Sequence, residues 1–331
     1  MSAKKKPTKI QWALTIALGI IVFAIFMAVL LFVFFFNPQR TFTITETFRV
    51  TSQIGSDTYL RVTLPMSGGY QEIGNLVVEG AEHYTTQYFN GWRDLTARVP
   101  ATGYEVIVTI SFTATLFRNA QPWYGDVHME YTLPEQFVDS DNETIIALAG
   151  QLRGENDLQT AGNIHDHVNN LLSWPTGPQI NGDTLYASEL LDYQVGVCGD
   201  FANLMVALLR AADIPARNIS GLALQVPLRR AQDWGHQGGA HGWVEFYADG
   251  RWHFADPSWG LFNRNRTEHL SFGTFNMNIH SDFQENRHQV LRDEGFVRVG
   301  GMTAPLRFIL FSTDENARVL PRGEVSFSWF R

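Results

Sequence analysis

Three side chains in this sequence could do chemistry together: Cys198, His241 and Asp256. A thiol, an imidazole and a carboxylate in that order are the parts of a cysteine nucleophile with its base and orienter. Cys198 is the one cysteine among 331 residues, so no disulfide can form within the chain. It lies in Gly196-Val197-Cys198-Gly199-Asp200, where a turn opens into a helix. Phe201, Leu204, Met205, Leu208, Leu209 and Ala212 follow helical apolar spacing, and Pro215 ends the run. A thiol in that first turn meets unpaired amides and the positive end of the helix dipole, which favour thiolate. Full activation requires an imidazolium beside it.

A turn count ties the histidine to the carboxylate. Asp249-Gly250 is a hairpin signal between His241–Tyr247 and Arg251–Ala255. With those two residues as the turn, Ala248 faces Arg251 and Asp256 faces Trp243. His241 then lies on the face of Asp256, diagonally opposite, while His253 points the other way. A three-residue loop would slip the register and remove His241 from that face. Plainer readings remain open: Cys198 as a packed thiol, His241 as a surface residue and Asp256-Pro257 as a turn opener. A second chemistry would use His236 and His253 with His241, Asp256 and Cys198 as zinc ligands. Their spacing matches no familiar metal motif, so no metal and no cofactor are expected.

Further elements must hold these groups. Ala13–Phe36 is an unbroken apolar run of 24 residues, preceded by Lys4, Lys5, Lys6 and Lys9. At about 1.5 Å rise per residue it can cross a ~30 Å hydrocarbon core. The lysines predict a single-pass protein of the cell membrane with its N-terminus cytoplasmic and its ectodomain outside. The segmentation expected is a cytoplasmic tail at 1–9 and a transmembrane helix at 10–36. A β-sandwich follows at 37–138, then an α+β domain at 139–290 and a C-terminal β extension at 291–331. Phe42, Ile44, Phe48 and Val50 alternate with polar residues, and Leu60–Leu64, Leu95–Val99 and Val106–Phe112 repeat the pattern. Helices are expected from Asn142 to about Arg153 and from Asp157 to Trp174. Asn263–Asn286 reads as a polar stretch.

The first 40 residues hold five Lys/Arg and no Asp/Glu, leaving 20 basic against 33 acidic residues in the remainder. A balance of −13 there argues against nucleic acid as a partner. No lysine occurs beyond Lys9, so the ectodomain offers no lysine amine as an acyl acceptor.

The runs Gly196–Ala202, Leu208–Arg217, His241–Glu245 and Trp252–Pro257 together resemble the transglutaminase-like domain family over roughly residues 140–260. The resemblance implies a papain-like α+β fold, with a helix bearing the cysteine packed on a sheet bearing His and Asp. It implies Cys198 as nucleophile, His241 as base and Asp256 as orienter. The chemistry implied is acyl transfer or hydrolysis at a peptide or protein carboxamide, cell-envelope material among the candidate substrates. It also implies a bacterial or archaeal surface protein. The oxyanion needs donors, for which the Cys198 backbone N–H and, by its upstream position, Gln194 are candidates. The family also includes inactive members, so a catalytically silent binding or scaffolding ectodomain stays open as the alternative.

Overall fold

The computed structural model describes residues 9–36, 39–89, 92–175, 185–224, 238–265, 268–274, 297–299 and 308–327. Two units emerge, Met1–Gln39 and Arg40–Arg331. The first contains α1 (Lys9–Phe36), a helix of 28 residues. Its Ile16, Leu18, Ile20, Phe23 and Phe26 side chains are exposed. Among the described residues no helix is long and apolar enough to cross a membrane.

The second unit begins as a sandwich of two sheets. Its N-terminal strands are β1 (Gln39–Thr51), β2 (Thr58–Leu64), β3 (Gln71–Glu79), β4 (His83–Phe89), β5 (Trp92–Arg98) and β6 (Glu105–Phe117). Period-two alternation places Ile44, Phe48, Leu60, Val62, Leu95, Ala97, Ile110 and Phe112 in one core between the sheets.

Helices and a third sheet follow: α2 (Glu143–Gln151), α3 (Asp157–Leu171), α4 (Ala187–Tyr193) and α5 (Cys198–Ala211) precede β7 (Ala216–Leu224), β8 (Gly238–Ala248), β9 (Arg251–Asp256), β10 (Leu261–Phe262) and β11 (His269–Thr274). The chain ends in β12 (Val297–Val299), β13 (Phe308–Ser312) and β14 (Arg318–Phe327). These last three strands join the sandwich, whose sheets run β14-β1-β6-β3 and β12-β13-β2-β5-β4. The chain thus leaves the sandwich, builds the helices and the sheet β10-β9-β8-β7-β11, and returns to close it.

Asn142 and Asn156 cap α2 and α3, their side-chain oxygens accepting from the N–H groups of Thr144 and Gln159 at 2.9 Å. The apolar faces of α2, α3 and α4 enclose α5, in which Phe201, Leu204, Met205 and Leu208 are buried. Leu222, Leu224 and Leu270 of β7 and β11 belong to the same apolar core as Phe48, Leu60 and Phe112 of the sandwich. Gln71 and Ser271 exchange two hydrogen bonds, at 2.9 and 2.7 Å. Tyr70 donates to Glu245 of β8 at 2.6 Å. The sandwich is therefore packed directly behind the sheet that carries the histidine.

One core position departs from the apolar pattern. Glu46 lies on the inward face of β1 between Ile44 and Phe48, fully buried, with Gly323 opposite on β14. Its two carboxylate oxygens have no hydrogen-bond partner among the described residues. Burial raises its pKa from 4.5 to about 8, so the folded chain keeps it neutral. The unfolded chain releases that proton near its ordinary pKa, so the stability present in acid declines as pH rises toward 8. Glu46→Gln will therefore be progressively more stable than the parent, by on the order of 1 kcal/mol per pH unit between pH 5 and 8. Urea unfolding of both proteins across that range checks this; a pH-independent difference would contradict it.

Candidate active site

The segment leading into α5 is fixed from both ends. α4 stops at Gln194 in the left-handed conformation (φ 54°), its N–H donating to Leu190. Ser173 and Val195 form a parallel bridge, with Ser173 N–H donating to Gln194 O and Gly196 N–H to Ser173 O, each at 3.0 Å. Asp200 accepts the Val197 N–H at 2.8 Å, which pins the residue before the cysteine. Gly196 is needed there, because a Cβ would come within 2.6 Å of the Asp200 Cβ. Cys198 then emerges half-buried as the first residue of α5. The opposite wall is in ordinary contact: a Cβ on Gly242 of β8 would sit 3.7 Å from the Gly199 Cα.

The hairpin that delivers the other two groups has Asp249 and Gly250 both at positive φ, 50° and 75°. That two-residue turn pairs Ala248 with Arg251 and Val244 with Ala255. His241 and Asp256 consequently meet across β8 and β9, with Nε2 of His241 2.8 Å from Oδ2 of Asp256. Both residues are buried. Trp259 covers the imidazole, stacked at 4.6 Å between ring centroids and 28° between planes.

Cys198 lies beside the ring of His241, close enough for each group to shift the other's titration. Since Nε2 is engaged by the carboxylate, Nδ1 is the nitrogen left to face sulfur. Burial disfavours the imidazolium, but the bonds and charges of Asp256 and Cys198 outweigh it and raise His241 to about 9. For Cys198, burial pushes the thiol up. The hydrogen bond and charge of His241 and the Gly242 N–H overcome this and hold it below the ordinary thiol value. Thiol and imidazole therefore titrate as a pair, each drawing the other toward its charged form.

Asp256 is held by more than the triad. Its Oδ1 accepts Ser258 N–H at 2.9 Å, the Ser258 hydroxyl at 2.7 Å and Trp259 N–H at 3.2 Å. Its Oδ2 also accepts from Nε2 of His269, on β11, at 2.8 Å. Burial alone would raise this carboxyl; the two imidazoles outweigh it and keep the pKa well below the usual range. His269 is the site residue the sequence reading misses. The available signal was the short alternation His269-Leu270-Ser271, inside the stretch read as polar.

Gln194, the other candidate oxyanion donor, is exposed at the end of α4. Its side-chain amide turns back onto its own helix and donates to Leu191 O at 3.3 Å. Backbone amides in the first turn of α5, that of Cys198 among them, are candidate donors beside the sulfur. His253 sits on the opposite face, stacked on Phe246 and facing Ala248 O at 3.2 Å. His236 lies outside the described residues. Among the described residues, the ligand-type atoms of His241, Asp256 and His269 lie within 4.8 Å of one another, and the short hydrogen bonds above join them.

Residues 146–257 match the transglutaminase-like superfamily. A candidate cysteine protease from Cytophaga hutchinsonii is similar at 17% identity and TM-score 0.49, covering 88% of this chain and 98% of that one. The periplasmic domain of TgpA from Pseudomonas aeruginosa is similar at 16% identity and TM-score 0.34, covering 68% and 89%. No curated protein matches the chain. Within an α+β fold dominated by strands, residues 146–257 are similar to the transglutaminase-like superfamily.

Proposed function

We propose that this chain is a membrane-anchored cysteine enzyme that transfers or hydrolyses the acyl group of a peptide or protein carboxamide. The observation that carries the reading is the hydrogen bond between His241 and Asp256, set beside Cys198 at the N-terminus of α5. Cys198 thiolate attacks the carboxamide carbon, and first-turn amides of α5 take the negative charge developing on oxygen. Imidazolium at His241 gives its proton to the departing nitrogen as the C–N bond breaks, leaving a thioester on sulfur. Water or a second amine then attacks the thioester carbon, His241 accepts the proton, and the thiolate departs. Asp256 holds the imidazole in the tautomer and orientation that both steps use. Trp259 keeps water from the ring's face.

Anchoring rests on sequence. The apolar run Ala13–Phe36 lies within the helix Lys9–Phe36 and is flanked by lysines only on its N-terminal side. The α+β unit then works outside the cytoplasm, at the cell envelope, where peptide and protein carboxamides of that layer are its substrate class.

The test is to incubate the purified protein with cell-envelope extract, quench in acid and weigh the peptide containing Cys198. A thioester adduct on Cys198 that is absent from Cys198→Ser and released by hydroxylamine is expected. Unmodified Cys198 under conditions of full exposure to envelope peptides and proteins would favour a silent scaffold instead.

A further inference from the structure

His269 makes contacts that the three-residue mechanism does not use. Its ring is fully buried against Trp243, Phe254 and Trp259, whose rings lie 4.9–5.1 Å away between centroids. Nε2 faces Oδ2 of Asp256 at 2.8 Å. Nδ1 faces Oδ1 of Asn265 at 2.9 Å and the Asn265 carbonyl at 3.3 Å. The orientation of that amide is fixed independently. Asn265 Oδ1 accepts the His269 backbone N–H at 2.9 Å, and Nδ2 donates to the carbonyls of Tyr70 and His269 at 3.4 Å. Both ring nitrogens of His269 therefore face oxygens that only accept. A neutral imidazole has one N–H and can satisfy one of them; the imidazolium satisfies both. Among the described residues, the ionisable groups against this ring are Asp256 from β9 and His241 from β8, at 5.2 Å between ring centroids. A cation there is compensated by Asp256.

We infer that His269 is a doubly protonated positioning residue that clamps Asp256 and offsets its charge, setting the pH window of the Cys198–His241 pair. The inference rests on the catalytic reading above and adds the device that tunes it. One carboxylate serves two imidazoles, so Asp256 acts on His241 with its charge partly balanced. Without the His269 cation, the pocket becomes more negative, and each proton leaving Cys198 or His241 is held harder.

Full-length protein in detergent micelles provides the test. The rate of Cys198 alkylation by iodoacetamide is followed against pH for the parent, His269→Gln and Asn265→Leu. Two inflections are expected in the parent: thiolate formation beside imidazolium, then loss of the imidazolium proton. Both should move upward by about one pH unit in His269→Gln. Asn265→Leu keeps the ring and removes the nearer Nδ1 acceptor, leaving the residue-265 carbonyl at 3.3 Å, and should move them the same way by less. Unmoved inflections in both variants, with folding intact, would overturn the inference. Ring nitrogen resonances of 15N-histidine-labelled parent protein give a readout independent of catalysis: both nitrogens of His269 should report protonated at pH 7. A single protonated nitrogen there sinks the proposal even if Cys198 proves reactive. A parent Cys198 that behaves as an ordinary thiol would instead count against the catalytic reading, whatever His269 shows.

Discussion

His241→Ala will lower acyl transfer by roughly 10²–10⁴-fold, the range expected when a positioned acid–base group is removed. Two losses combine. The leaving nitrogen has no proton donor, and the half-buried Cys198 thiol loses the bond and charge that oppose its burial. Its pKa then rises toward or above the ordinary thiol value, because burial and Asp256 both push it up. The fold should survive, since Asp256 keeps His269, Ser258 and the Trp259 amide as donors. Steady-state turnover and thermal melting of the same preparation separate the two effects. Full turnover in a folded variant would remove His241 from the mechanism.

Asp256→Ala carries a second large expectation, this time on stability as well as activity. The substitution leaves Nε2 of two buried imidazoles without an acceptor and strips the Ser258 and Trp259 amides of theirs. Removing one partner from a buried charged cluster typically costs about 3–5 kcal/mol. Urea unfolding should register a loss of that size, together with turnover near background. Asp256→Asn discriminates between packing and charge. Its oxygen can face the Ser258 and Trp259 amides while its NH2 confronts two ring nitrogens, so His241 must accept at Nε2 and carry its proton on Nδ1. That tautomer points N–H at the sulfur and cannot receive a proton there, so activity falls further than stability. The carboxylate's depressed pKa also gives the parent stability that is present above the ordinary Asp value of 3.8 and is lost as pH falls below it. Both Asp256 variants should lose that acid-side slope. A slope unchanged by either variant would show that Asp256 is not the group responsible.

Much of this arrangement follows from local chemistry. Gly, Val and Cys ahead of a helical apolar stripe determine that the thiol opens α5. The Asp249-Gly250 turn determines register, because both residues accept positive φ and a two-residue loop leaves one pairing. What was illegible depends on chain returns. The sandwich is closed by β12, β13 and β14, more than 170 residues after β6, and nothing in their alternation names β1 and β2 as partners. β3 escaped notice because Asn75 at φ 52° and a register shift between Gly74 and Val77 break its alternation. β4 is an edge strand whose Tyr84 and Tyr88 are exposed, so it lacks an apolar face. His269 was hidden for a related reason: its strand is short, and its charge partner is set by the β7–β11 pairing rather than by any turn.

The measurement that bears most directly on the whole account is the rate of Cys198 alkylation in the unmodified protein at about pH 6. A sulfur held as thiolate by His241 reacts there far faster than an ordinary thiol, which is almost wholly protonated, and His241→Ala abolishes the advantage. A rate equal to that of glutathione at the same pH, unchanged by His241→Ala, would contradict the account.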